Sequence, residues 1–215
     1  MSKYLLEFRG LTLVYYIPVE KVENFLLSGV TPVVRRNKVR LYVQVLESVS
    51  LSGKGVEGLK VRELNYMIEA KYSGRKGYYA VKLYADNPQY VEWGVSQGFL
   101  KTLADISYRE ERNRVFCSAK KNNKVLARIE ADVDIGLLSS FKGKLYPSVL
   151  SLIFLNNFIG VKEKKCEVLP IKLRASVLPA RISYMDLAEL EELGLLGEEK
   201  PSYVFYVKRI VLEIL

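Results

Sequence analysis

Hydrophobic and polar residues alternate along much of the chain, and this pattern predicts β-strands. The alternation is clearest from Lys38 to Ser50 and from Leu59 to Tyr72. In the second segment Glu63, Asn65 and Glu69 fall on the face opposite to the large apolar residues. Because side chains alternate across a strand, we expect the two faces of this strand to differ in polarity.

The same pattern predicts that most of the remaining chain is sheet. Further strands are expected at Tyr78 to Ala85, Val115 to Ala119, Val125 to Ile135, Cys166 to Leu178 and Tyr203 to Leu215. Polar residues and glycines between strands predict hairpin loops at Ser73 to Gly77 and at Lys121 to Lys124. Hairpins of this kind join antiparallel strands.

Three short helices are predicted between the strands. One begins at Pro18, a residue favoured at the first position of a helix, and ends near Gly29. The others are expected at Pro88 to Gln97 and at Met185 to Leu193. Many long strands with few helices predict a sheet-dominated α+β protein, with a curved antiparallel sheet or barrel. Such folds often hold a small ligand in a central pocket.

The chain is interpreted as one domain, residues 1–215, because it shows no linker, repeat or low-complexity segment. No apolar run approaches the ~20 residues that a membrane-spanning helix needs. The first residues lack the apolar core of a secretory signal. We therefore expect a cytoplasmic protein with no membrane partner.

Basic residues outnumber acidic ones, 33 to 24, and the formal net charge of +9 favours acidic partners. The 15 tyrosines are compatible with stacking on nucleic-acid bases. However, no nucleic-acid-binding motif occurs, and several basic clusters fall in predicted turns, where charge only solvates the chain. Of three interpretations of the chain, a basic RNA-associated protein is therefore the weakest; the other two concern small-molecule ligands.

Histidine is absent, which excludes serine–histidine and cysteine–histidine catalysis and histidine-ligated zinc. Cys117 and Cys166 are too few for a four-thiolate metal site, and their alternating neighbours predict buried, reduced side chains. Chemistry must therefore come from lysine, arginine, carboxylate or hydroxyl groups. No metal site is predicted.

One lysine stands inside an apolar segment, Gly98-Phe99-Leu100-Lys101-Thr102-Leu103-Ala104. Burial among such neighbours removes water from an ammonium group and disfavours the charged form. The neutral amine that results can attack a carbonyl carbon and form a Schiff base. The alternative is a lysine with a buried stem whose head reaches water.

Three blocks of sequence resemble the acetoacetate decarboxylase superfamily. They are Val39-Arg40-Leu41-Tyr42-Val43; Arg62-Glu63-Leu64-Asn65 followed by Gly74-Arg75-Lys76-Gly77-Tyr78-Tyr79 and Leu83-Tyr84-Ala85-Asp86-Asn87; and Gly98 to Ala104. The order and spacing of the blocks carry the resemblance. It implies the family's curved antiparallel sheet with a central pocket, a Schiff-base lysine at Lys101 and an acidic site residue at Glu63.

The sequence also departs from the family pattern. Thr102 stands in place of a second lysine, and Tyr42 stands in place of a second glutamate. Leu100 replaces a proline, and Arg9 is an approximate counterpart of the family's substrate-binding arginine, one position out of register. Without the second lysine, burial alone must activate Lys101.

The resemblance implies an enzyme that joins Lys101 to a small keto or oxo acid as a Schiff base. Glu63 would move a proton, and the substrate would be held by Tyr42, Asn65, Thr102, Arg9 and Phe99. The imine would withdraw electrons in decarboxylation, aldol cleavage or dehydration, so that no metal or organic cofactor is needed. The resemblance also implies a homo-oligomer, with the strand at Tyr203 to Leu215 as a candidate contact.

A second interpretation comes from the departures at Thr102 and Tyr42. It is a non-catalytic protein of the same fold that binds a small ligand and has lost the chemistry. Each site residue also has a structural alternative. In this alternative Glu63 and Asn65 lie on the solvent face of an amphipathic strand. Tyr42 packs in the core, and Arg9 is a surface charge.

Overall fold

The computed structural model describes residues 4–133, 157–162 and 165–214. Most of these residues belong to one mixed sheet of twelve strands. The strands are β1 Tyr4–Pro18, β2 Thr31–Pro32, β3 Lys38–Ser52, β4 Arg62–Tyr72, β5 Arg75–Ala85, β6 Lys101–Leu103, β7 Asp105–Glu111, β8 Arg114–Lys121, β9 Lys124–Val133, β10 Asn157–Lys162, β11 Lys165–Asp186 and β12 Tyr203–Ile214. The α-helices in the described residues are α1 Pro88–Ser96 and α2 Ala188–Glu192.

The strand order is β10-β5-β4-β3-β1-β12-β11-β9-β8-β7, with β2 beside β4 and β6 beside β5. Strand β10 pairs with β11 as well as with β5, so the strands from β10 to β11 form a closed ring. Strands β9, β8 and β7 extend the sheet beyond β11. The pairings are antiparallel except for β10 with β5 and β5 with β6.

Both faces of the central strands are buried, each in its own apolar cluster. The first cluster joins one face of β1, β3 and β4 to side chains of β7, β8 and β9. The second cluster gathers residues of the opposite face, among them Phe8, Met67 and Phe158, together with Tyr90 and Trp93 of α1. The face of β4 that carries Glu63, Asn65 and Glu69 is therefore an interior face, so the alternative that Glu63 and Asn65 face solvent is wrong.

The predicted sheet-dominated α+β fold is confirmed, as are the two hairpins. Each hairpin turn needs two residues with positive φ, a conformation that glycine and asparagine adopt most easily. These residues are Ser73 and Gly74 in one turn, and Asn122 and Asn123 in the other. The last two residues of the predicted strand Val125 to Ile135, and Leu215, lie outside the described residues.

The helix predicted from Pro18 to Gly29 is wrong. Strand β1 continues to Pro18, whose ψ of 142° is extended, and only two 3-10 turns follow, at Val19–Lys21 and Glu23–Phe25. The amide of Val19 donates to the carbonyl of Asn37 at 3.2 Å, which fixes the chain at this corner. A β-branched residue such as Val19 also favours helix only weakly.

The last helix is shorter than predicted, because Met185 and Asp186 still belong to β11. Strand β12 lies between β1 and β11, so it is an interior strand and not the exposed edge that was expected to mediate assembly. None of the described helices is long and apolar enough to cross a membrane.

Candidate active site

A cavity of about 90 Å³ lies inside the ring of strands, against helix α1. Its walls are largely aliphatic and aromatic. The aromatic residues are Tyr78, Tyr90, Trp93, Phe99, Phe158 and Phe8. The polar side chains that line it, apart from these tyrosines and the tryptophan, are Gln44, Glu63, Asn65 and Lys101.

The end of helix α1 positions Lys101. Asn87 caps the start of the helix by accepting a hydrogen bond from the amide of Tyr90 at 3.1 Å, and Pro88 occupies the first turn. The helix stops before Gly98, whose φ of 87° lies in the left-handed region that glycine favours. The chain then enters β6, where Lys101 pairs with Leu83 of β5.

The stem of Lys101 lies across helix α1 at Gly94. A Cβ atom on Gly94 would be 2.7 Å from Cδ of Lys101 and 3.0 Å from Cε. The missing side chain of Gly94 is therefore what lets the lysine pass over the helix to the cavity.

Nζ of Lys101 forms an ion pair with Oε1 of Glu63, and the two side chains are only 6% and 5% exposed. The same nitrogen lies 4.9 Å from the centre of the Tyr90 ring and 5.8 Å from that of Phe99. An ammonium group is attracted to aromatic faces at such distances. The candidate site thus holds a buried amine next to a carboxylate that can exchange protons with it.

Glu63 has further donors. The amide Nδ2 of Asn65 lies 3.4 Å from its Oε2, and the hydroxyl of Tyr90 donates to the same carboxylate. Burial and the adjacent Glu63 charge raise the pKa of Tyr90 well above its usual value, so this hydroxyl stays protonated. A carboxylate with several donors keeps a fixed position beside the amine.

Two atoms of residues that line the cavity are buried without a hydrogen-bond partner: Oδ1 of Asn65 and Nε1 of Trp93. Because Nδ2 of Asn65 faces Glu63, the unpartnered atom of that amide is its acceptor. An unpartnered buried polar atom lowers stability, and a ligand that supplies the missing partner removes this penalty.

The structure brings Lys101, Glu63, Asn65 and Phe99 together at the cavity, and their catalytic or binding roles stay predictions. The other three predicted residues do not line it. Thr102 lies in β6 opposite Tyr84.

Tyr42 and Arg9 have partners elsewhere. The Tyr42 hydroxyl donates to Oε1 of Glu69 at 2.6 Å. Arg9 pairs with Glu47 at 2.8 Å and Glu110 at 3.4 Å, and its side chain is 42% exposed in a separate surface groove.

Tyr90 and Gln44 were not predicted as site residues, although the sequence carries a signal for each. Tyr90, Trp93 and Gly94 have the i, i+3, i+4 spacing of one helix face. Gln44 is a polar residue between the apolar residues Val43 and Val45 of β3 and lies opposite Asn65. In the part of the chain that the structure describes, no group of three His, Cys, Asp or Glu residues could hold a metal ion.

The family model described as acetoacetate decarboxylase matches residues 2–175, most of the chain. The chain belongs to the acetoacetate decarboxylase family. No functionally curated protein matches the sequence.

Solved structures of this fold cover almost the whole chain at low sequence identity. An acetoacetate decarboxylase-like enzyme from Sphingomonas wittichii RW1 has a TM-score of 0.70 at 14% identity, over 98% of this chain and 90% of that one. Acetoacetate decarboxylase from Legionella pneumophila subsp. pneumophila str. Philadelphia 1 has a TM-score of 0.67 at 12% identity, over 99% and 87%. The enduracididine biosynthesis enzyme MppR complexed with pyruvate has a TM-score of 0.67 at 11% identity, over 98% and 87%. At these identities the likeness establishes the fold alone.

Proposed function

We propose that this protein is a Schiff-base-forming lyase that acts on a small carbonyl compound through Lys101. The observation that carries the proposal is the buried Lys101–Glu63 pair at the wall of a largely apolar cavity. A primary amine next to a proton acceptor, in a largely apolar site, meets the chemical needs of imine formation.

Glu63 is placed to handle every proton of that reaction. It takes one proton from the Lys101 ammonium group, and the lone pair of the neutral amine then forms a C–N bond while the C=O π pair moves onto oxygen. Glu63 returns the proton to this oxygen and removes a second proton from nitrogen. It then delivers the second proton to the hydroxyl group, which leaves as water.

The products are a protonated imine with one N–H, a water molecule and the Glu63 carboxylate. The positively charged imine thus replaces the original ammonium group as the partner of the Glu63 carboxylate. It can accept the electron pair released when a bond next to the former carbonyl carbon breaks. Decarboxylation, aldol cleavage and dehydration all use this step, and none of them requires a metal or an organic cofactor when the imine supplies the electron sink.

The substrate class implied by the family resemblance is a keto or oxo acid. Two structures of MppR support a carbonyl substrate for this fold, one with pyruvate and one with the condensation product of pyruvate and imidazole 4-carboxaldehyde. For this chain the support is the cavity, whose reactive group is an amine.

A second candidate function is ligand binding without chemistry. It is favoured by the surroundings of Nζ, because a carboxylate and two aromatic faces all stabilise an ammonium group. A binding protein would fill the same cavity and leave Lys101 unmodified.

Trapping with sodium cyanoborohydride, read by intact mass and peptide mapping, separates the two. We expect a wild-type adduct at residue 101 with at least one of pyruvate, acetoacetate, acetoacetamide and hydroxyacetone. Lys101→Met should give no adduct. Lys82→Met is the matched control, since Lys82 also pairs with a buried glutamate, Glu189, at 3.1 Å but does not line the cavity.

Removal of Lys101 leaves Glu63 buried without its cation, which can prevent folding. The double variant Lys101→Met/Glu63→Gln removes both charges, so it tests in a folded protein whether the adduct requires Lys101. The proposal fails if folded wild-type protein gives no adduct with any of the four compounds. It also fails if the double variant reacts as fast as the wild type.

Cytoplasmic location and homo-oligomeric assembly stay predictions. Strand β12 is paired on both sides, so it offers no free edge for pairing with a second copy. Light scattering after size-exclusion chromatography measures the assembly directly.

A further inference from the structure

We infer that the cavity selects a neutral carbonyl compound with an uncharged polar tail, such as a small keto amide, over the keto acid of the same shape. The inference rests on the proposed function, because it concerns the compound that reacts with Lys101. It departs from the keto or oxo acid that the family resemblance implies.

The charges of the cavity wall are already balanced. Among the described lining residues Lys101 is the one cation and Glu63 the one anion, and they contact each other. When the ammonium group becomes a protonated imine, the positive charge stays next to Glu63, so a neutral substrate preserves the balance through the whole reaction. A substrate carboxylate would add a second anion to the same cavity.

The arginines of β1 and β3, the strands nearest to β4 on one side, are engaged elsewhere. Arg40 is buried against Glu69, with Nη1 2.7 Å from Oε1, and its Nε donates to the hydroxyl of Tyr16 at 3.1 Å. Arg9 is held by Glu47 and Glu110 and borders the separate surface groove. No arginine of the described residues lines the cavity. A carboxylate would therefore be buried without a guanidinium partner, which is strongly unfavourable.

The polar tail is suggested by two buried, unpartnered atoms that belong to residues lining the cavity. Oδ1 of Asn65 requires a donor, and the Nε1–H group of Trp93 requires an acceptor. Asn65 is 5% exposed and Trp93 7% exposed, so bulk water reaches neither freely. A primary amide offers two N–H donors and a carbonyl acceptor in a single uncharged group, whereas a carboxylate offers acceptors only.

Two isosteric pairs of compounds test the charge preference: acetoacetamide with acetoacetate, and pyruvamide with pyruvate. Each is trapped on wild-type protein with sodium cyanoborohydride at increasing concentration, and the half-saturating concentration is measured by intact mass. N-acetyl-lysine, treated in parallel, corrects for the intrinsic reactivity of each carbonyl. Adducts of acetoacetate and of its decarboxylation product are counted together.

We expect the corrected half-saturating concentration of each amide to be at least about tenfold lower than that of its acid, because the acid buries an unpaired anion. Equal values, or a preference for the acids, would overturn the inference while the adduct at Lys101 leaves the proposed function standing. If no compound forms an adduct, the proposed function fails and the inference fails with it.

A second comparison tests the polar tail. 4-Methylpentan-2-one has the shape of acetoacetamide and no polar group at the amide position. Wild-type protein should prefer acetoacetamide, and Asn65→Leu should reduce that preference by about fivefold, the effect of one lost hydrogen bond. A preference that is absent from the wild type, or unchanged in Asn65→Leu, would refute the part assigned to Asn65.

Discussion

Two buried ion pairs on the same face of β4 have similar composition and different surroundings. Each joins a cation, a glutamate and a tyrosine hydroxyl. We name them the lysine triad (Lys101, Glu63, Tyr90) and the arginine triad (Arg40, Glu69, Tyr42). The two glutamates are six residues apart on one strand and are equally buried, at 4% exposure each.

The arginine triad is a closed structural unit. Glu69 accepts from Arg40 at 2.7 Å and from Tyr42 at 2.6 Å, and Arg35 lies 3.9 Å away. None of the three members lines the cavity. A guanidinium group remains charged in proteins, so this triad has no nucleophile.

The lysine triad differs in its cation and in what it faces. All three members line the cavity, and two residues beside them carry unpartnered polar atoms. Its cation is an amine, which becomes a nucleophile when it gives up a proton. The comparison teaches that burial of an ion pair does not mark an active site. A cavity beside the pair and a cation that can react are what make the lysine triad the candidate active site.

The largest expected effect comes from removal of the cation of each triad. Arg40→Met and Lys101→Met each leave a buried carboxylate without its partner, and each should lower the free energy of unfolding by about 3–5 kcal/mol. Only Lys101→Met should lose the trapped adduct. Urea unfolding and adduct formation per folded molecule measure the two effects separately.

The control for folding in this comparison is a double variant of each triad, Arg40→Met/Glu69→Gln and Lys101→Met/Glu63→Gln. Loss of the adduct in the folded arginine double variant would mean that the arginine triad also takes part in the chemistry. The contrast between the two triads would then be wrong.

A smaller effect is expected where the lysine crosses helix α1. Gly94→Ala adds a Cβ atom 2.7 Å from Cδ of Lys101, so the lysine must move away from Glu63. We expect the trapping rate to fall about tenfold, which corresponds to ~1.4 kcal/mol. Because alanine favours helix more than glycine does, α1 itself should gain up to ~1 kcal/mol. This gain opposes the cost of displacing the lysine from Glu63, so the trapping rate should fall more clearly than the stability changes.

Val95→Ala is the matched control for Gly94→Ala. Val95 follows Gly94 in the helix, is 44% exposed and does not line the cavity. Its replacement also raises helix propensity, and it should leave the trapping rate unchanged. Equal trapping rates in Gly94→Ala and wild type would show that Gly94 does not position the lysine.

Local patterns in the sequence were sufficient to predict the strands whose two faces differ in polarity. The alternation found β4 and placed Glu63 and Asn65 on one side of it, and the apolar surroundings of Lys101 singled out that residue. The pattern could not predict that the polar side is interior. The strands that enclose it, from β10 to β12, come from residues 157 onward, and local alternation carries no information about such distant contacts.

Strand β1 shows a second limit of prediction from local patterns. Most residues from Leu11 to Ile17 are buried, so both faces of that part of the strand are apolar and no alternation marks it. Arg9 lies in this strand, and its pairing with Glu110 joins residues about a hundred positions apart. The separation of Arg9 from the cavity was therefore beyond a prediction from local sequence.

The smallest expected effect is a change in how stability depends on pH, and it should be equal in the two triads. Burial, first, and then neighbouring acidic groups raise the pKa of both Tyr90 and Tyr42 above the usual value near 10, although Arg40 opposes this at Tyr42. The folded protein therefore keeps protons that the unfolded chain releases above pH 10. The stability that each tyrosine contributes is complete below pH 10 and is lost as pH rises further, by ~1.4 kcal/mol per pH unit.

Urea unfolding at pH 9, 10 and 11 measures this loss. We expect Tyr90→Phe and Tyr42→Phe each to flatten the fall in the free energy of unfolding above pH 10 by the same amount. At pH 8, only Tyr90→Phe should slow adduct formation, because only the Tyr90 hydroxyl contacts the carboxylate that moves protons for Lys101. A slower reaction in Tyr42→Phe would connect the two triads. Unequal flattening would show that the two tyrosines differ in burial or in charge, and the triads would then differ in more than their cation and their access to the cavity.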